Sequence, residues 1–106
     1  MTFMEIVETV RGIYENADAR NIYEHIAVQV DIVGEGSGSL YVEVAERSVC
    51  VEPYDYKDRD ILVVTDGDTV NRIAHADISL EEAIKEGSFR VYGNKAKIEL
   101  MKRIVV

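Results

Sequence analysis

A chain of 106 residues, 47% hydrophobic and 30% charged with a single proline, has room for one globular domain spanning 1–106 and is not a disordered segment. Twenty acids against twelve bases give a net charge of -8, which repels a polyphosphate backbone, so no nucleic-acid partner is expected. One cysteine, Cys50, forms no internal disulfide and suits a reducing, cytoplasmic setting, while Glu5 and Glu8 with no basic leader set the first ten residues apart from a signal peptide.

The apolar runs are a handful of residues long, far short of a membrane span. Thr2 followed by Glu5 reads as a capping box. Behind it Phe3, Ile6, Val7, Val10, Ile13 and Tyr14 recur at helical spacing, which predicts a first helix ending near Asn16. A short helix or turn follows around Asp18–Glu24. The period then changes to two: Ile26, Val28, Val30 and Ile32 alternate with Ala27, Gln29, Asp31 and Val33, as in a half-buried strand.

The glycine-dense "GEGSGS" of residues 34–39 raises the question of a phosphate-binding loop. Such a loop needs a strand before it and a helix after it. Here the alternation resumes with Leu40, Val42 and Val44, so a strand follows, and the glycines at 34, 36 and 38 read as hairpin residues. Residues 47–52 supply a third strand, a polar loop leads to a fourth at 60–65, and a helix starts near Thr65 or Asp66. Ser79 with Glu82 is a second capping box, opening a helix that stops at Gly87. Residues 88–92 form a fifth strand, and Asn94 caps a last helix through residue 105. The order of elements is that of an α+β domain.

Catalytic and metal-binding patterns are not found. His25 and His75 lack a second ligand at metal spacing and read as surface or packing residues. Cys50 reads as a buried structural thiol in its strand. Asp66 and Asp68 lack the further oxygens of a calcium loop and suit a helix N-terminus. No catalytic residue, metal or cofactor is therefore expected.

Two stretches carry a resemblance. "AVQVDIVGEGSGSLYVEV" (27–44) resembles the opening hairpin of the sterol-carrier-protein domain family. "ISLEEAIKEGSFRVYGNKAKIELM" (78–101) is similar to that family's other hallmark: a short helix carrying Ala83, a Gly87 stop, a strand ending at Gly93-Asn94, and a final helix. "DILVVTDGD" between them matches the strand leading into an acidic helix start. Leu40 stands where an aromatic is common, and Leu80 where a proline is frequent. The C-terminal "IVV" differs from the peroxisomal address of eukaryotic members.

The resemblance implies a five-stranded, mostly antiparallel sheet with helices on one face, enclosing an apolar tunnel for sterols, fatty acyl chains or other lipids. It implies a protein that binds, carries or presents such a ligand without catalysis of its own. The alternatives are a small enzyme or accessory subunit holding an apolar substrate, and a ligand-free interaction module.

On that reading the cavity lies between Val28, Val30, Ile32, Val42 and Val44 on the sheet and Ile73, Ile84, Leu100, Met101 and Ile104 on the helices. Phe89 and Val91 of the fifth strand are further candidates. The last helix, with its wide apolar face that includes Val105, fits a cavity wall and a two-sided packing surface equally well. Charge is also uneven. Residues 1–85 hold 7 basic and 18 acidic groups, whereas residues 86–106 carry a net +3. Lys95, Lys97, Lys102 and Arg103 are thus candidates for transient contact with an anionic membrane, or complements to the negative end of the last helix.

Overall fold

The computed structural model describes residues 1–104. Nine elements follow in chain order: α1 (Phe3–Tyr14), β1 (Ile26–Val33), β2 (Gly38–Ala45), β3 (Ser48–Glu52), β4 (Ile61–Asp66), α2 (Gly67–Ala74), α3 (Leu80–Glu86), β5 (Arg90–Gly93) and α4 (Lys95–Lys102). The strands form one sheet in the order β3-β2-β1-β4-β5. All neighbours pair antiparallel except β1 and β4, which run parallel with Val28 opposite Ile61 and Val30 opposite Val63. The α+β class and the mostly antiparallel sheet agree with the sequence reading.

The helix ends are where their side chains put them. Thr2 and Glu5 form the capping box of α1, and Ser79 and Glu82 that of α3. Asp66 accepts from the Thr69 amide at 2.7 Å, and Asn94 from the Lys97 amide at 3.1 Å, satisfying amides that a helix start leaves without partners. Gly87 closes α3 in the left-handed region, with φ 89°. Residues 18–24 form no helix; Arg20 and Asn21 make a turn, and Asp18 an isolated bridge.

Period-two alternation sorts the strands into two faces. Ile26, Val28, Val30, Ile32, Leu40, Val42, Val44, Val51, Ile61 and Val63 are buried in one core with Ile6, Val7 and Val10 of α1 and Val70 of α2. Arg11 fastens α1 to the edge strand β3, its Nε donating to the Val51 carbonyl at 3.0 Å.

The opposite face carries Gln29, Asp31, Ser39, Tyr41 and Glu43, and the loop between β3 and β4 is fastened to it. Tyr56 donates from its amide to Gln29 Oε1 at 3.2 Å and from its hydroxyl to Glu43 Oε2 at 2.7 Å. His25 Nε2 lies 2.7 Å from the same oxygen, and the Tyr41 and Tyr56 rings meet edge to face at 5.3 Å. The hydrogen bond from His25, then that from Tyr56, holds the Glu43 carboxyl below its usual range. The bond to Glu43 pushes the Tyr56 phenol up to about 12.

Cys50 corrects an expectation. It is exposed, because Val49 and Val51 take the inward phase of β3 and leave Cys50 opposite Glu43 on the polar face. His25 and His75 are both exposed, as surface residues.

"GEGSGS" joins β1 to β2 as a hairpin, with Ile32 paired to Gly38. Gly34 and Gly36 have φ of 77° and 73°. Gly38 is needed differently from the turn role expected of it. It is not in the left-handed region, and a Cβ there would stand 2.7 Å from the Phe3 ring.

Candidate functional site

Between the inner sheet face and the helices lies a cavity of about 340 Å³. Its floor is Val28 and Val30 of β1, Val42 of β2, Ile61, Val63 and Thr65 of β4, and Val91 of β5, with Phe89 just before β5. The roof is Val10, Ile13 and Tyr14 of α1, Val70 and Ile73 of α2, Leu80 and Ile84 of α3, Ile98, Met101 and Lys102 of α4, and Ile104 beyond it. Alternation aims the strand residues at this space, and helical spacing aims the others.

Of the twelve residues the sequence nominates, Val28, Val30, Val42, Ile73, Ile84, Phe89, Val91, Met101 and Ile104 come together around the cavity. Ile32, Val44 and Leu100 do not line it. Ile32 and Val44 have the right phase and are buried in the same core, but they lie away from the cavity. Val105 lies outside the described residues.

Sequence reasoning missed the contributions of α1 and β4. Their signal was present, since Val10, Ile13, Ile61 and Val63 lie on the same apolar faces as residues already counted.

The wall has almost no chemistry. Thr65 is buried and donates its hydroxyl to the Ser88 carbonyl at 2.8 Å. Burial pushes the Tyr14 phenol up, so it stays a neutral donor. The lining holds no carboxylate, imidazole or thiol among the described residues.

The volume has an energetic consequence. At about 24 cal/mol per Å³, a dry void of 340 Å³ costs about 8 kcal/mol, as much as the whole stability of many small domains. A space of this size is one that contents stabilise.

The roof is held at its far end by Asp60. Its Oδ2 accepts from the Ala27 amide at 2.9 Å, its Oδ1 meets Lys97 Nζ at 3.0 Å, and its carbonyl accepts from the Asn94 amide at 3.0 Å. Burial alone would raise the carboxyl's pKa, but the Ala27 amide and Lys97 together bring it below its ordinary value. One side chain thus joins β1 to α4.

A second, polar hollow lies beside the hairpin, lined by Gly34, Glu35, Asp66, Gly67, Asp68 and Asn71. The start of α2 faces it, but three carboxylates stand around that start, an unfavourable setting for phosphate.

Solved structures of the same shape exist. Palmitated sterol carrier protein 2-like 2 from Aedes aegypti superposes with a TM-score of 0.71 over 95% of this chain and 91% of that one, at 16% identity. The sterol-carrier-protein fold is this chain's fold.

The ubiquinone synthesis protein UbiJ-SCP2 gives a TM-score of 0.59 at 19% identity, over 90% of this chain and 85% of that one. A double mutant of the sec-alkylsulfatase PisA1 gives 0.71 at 14% identity. There the chain is covered over 89% of its length but spans only 15% of the sulfatase. No protein-family model matches the sequence, and no curated protein does. At these identities the likeness establishes the sterol-carrier-protein fold and nothing finer. Among the described residues no helix is long and apolar enough to cross a membrane.

Proposed function

We propose that the chain binds an apolar ligand of the lipid class in the cavity and carries or presents it, without catalysing a reaction on it. The observation that carries this reading is the 340 Å³ cavity with its nearly unbroken apolar wall. Burying an acyl chain gains about 0.8 kcal/mol per methylene, and a bilayer offers the same gain. Exchange between the two is therefore close to neutral, which suits a carrier and not a permanent store. The nine nominated residues that line the cavity are the proposed contacts.

Organic extraction of purified protein followed by mass spectrometry tests this reading. A bound lipid in near-stoichiometric amount is the expected result. Protein that yields none, and that also fails to take up a fluorescent fatty acid, overturns it.

A second reading, an accessory module holding an apolar substrate for an enzyme, is favoured by the alkylsulfatase, where this shape is a small part of a larger enzyme. Pull-down with retained lipid separates the two. Membrane contact through the basic end also belongs to the proposal. Lys97 is paired with Asp60 and Lys102 with Glu99, which leaves Lys95 and Arg103 as the more available cations.

A further inference from the structure

We propose that Lys102 makes the cavity selective for an amphiphile with an anionic end, and holds that end at the C-terminal end of α4. The inference rests on the reading of the cavity as a lipid site and adds the ligand's polarity and direction.

Among the described residues only Tyr14, Thr65 and Lys102 bring polar side-chain atoms to the wall. Thr65 already donates to Ser88, and it is buried at the base of β4's inward row. The Tyr14 hydroxyl makes no hydrogen bond among the described residues, so it remains a donor for a ligand oxygen. Lys102 is the one charge in the wall among the described residues. Its partner is Glu99, 3.3 Å away on the same helix, with side chains 38% and 66% exposed. An exposed i,i+3 pair of this kind contributes little, so a ligand anion replaces Glu99 at small cost. The lysine stem suits the apolar wall while its ammonium stays at the mouth.

The wider field points the same way. Residues 1–85 are strongly acidic, and the one net-positive stretch, 86–106, is where Lys102 and the exposed Arg103 sit. An anionic head group is repelled over most of the surface and attracted at this end of the cavity. Lys102 and Arg103 also offset the negative end of α4. That role explains a cation at the helix end, but not one placed in the wall of an apolar cavity.

The test compares an n-alkanoic acid with the n-alkanol of equal length, at a pH where the acid is ionised. Affinities are measured by displacement of a neutral fluorescent probe. The parent should bind the acid about twofold to fivefold more tightly than the alcohol, the range of a partly exposed charge pair. Lys102→Met should bring that ratio to about one, and Lys102→Arg should retain most of it. Rising salt should shrink the parent's ratio.

A parent with no preference for the acid overturns the proposal, and so does a Lys102→Met variant that keeps it. In both cases alcohol binding still supports the lipid site. Binding of neither ligand overturns the lipid site as well. Urea unfolding of the variants shows whether they are folded, and Lys102→Gln gives a second neutral replacement.

Discussion

Two halves of one sheet face are built from the same aliphatic residues and packed to different ends. Near α1 and the edge strand β3, Ile6, Ile26, Leu40 and Val44 are fully enclosed. Toward β5 the cover is looser: α3 fully buries only Ala83, α4 buries none of its residues, and Phe89, Val91, Ile98 and Met101 are only partly buried. The closed half resembles an ordinary interior, where side-chain volumes fill the space. The open half leaves the cavity. One sheet face is therefore tightly packed in one part and hollow in the part beside it, with β1 and β2 contributing to both.

The sharpest way to break this comparison is to add volume to each half. Val44→Phe should destabilise by about 3 kcal/mol, the upper part of the overpacking range, because Val44 is fully enclosed. Val91→Phe, at the cavity, should leave the urea midpoint nearly unchanged and reduce lipid uptake at least tenfold. Equal loss of stability in both variants would erase the distinction.

Gly36→Ala comes next, at about 2 kcal/mol. Its φ of 73° disfavours a side chain, and a Cβ would stand 2.6 Å from the Met1 carbonyl oxygen and 2.9 Å from Ile6 Cδ1. The hairpin tip and the start of α1 are thus one packed unit in the closed half. A denaturation midpoint equal to the parent's would show that they are not.

Asp60→Asn probes the clasp of the open half and should cost about 1–2 kcal/mol through a weakened charge-assisted hydrogen bond and a lost ion pair. The pH dependence has a definite sign. A carboxyl whose folded pKa lies below the unfolded value contributes fully above the unfolded value, here near 3.8, and loses that contribution as pH falls through the folded one. Parent and variant should therefore converge in stability on acidification below about pH 4. A constant difference down to the acid transition would assign the effect elsewhere.

The smallest effect belongs to the polar face. The difference titration between the parent and Tyr56→Phe should show one phenol ionising near 12. Ionisation at the ordinary tyrosine value of 10.0 would mean that the Glu43 contact is absent in solution.

The faces of the strands were legible in the sequence because alternation is local. The helix starts were legible because Thr2, Asp66, Ser79 and Asn94 are local signals too. What alternation cannot tell is how closely an inward residue is covered. Val44 and Val42 have identical phase on β2, yet only Val42 meets the cavity, because the difference lies in segments distant in sequence. Cys50 was legible and misread: its neighbours Val49 and Val51 already claimed the inward phase. The fastening of Tyr56 to Glu43 was not legible, since the loop that carries Tyr56 has no period to show where it lies.

The parallel pairing of β1 with β4 has a consequence in time. Val28 and Ile61 meet across a long stretch of intervening chain, so their pairing closes a large loop and is entropically late compared with the hairpins β1–β2 and β2–β3. The segments that complete the cavity, β5 and α4, come after β4 in the chain, and β5 joins the sheet only through β4. By the same ordering they are the first to leave when the native protein opens. Native-state hydrogen exchange should find the amides of α4 and β5 opening at lower free energy than those of β1 and β2.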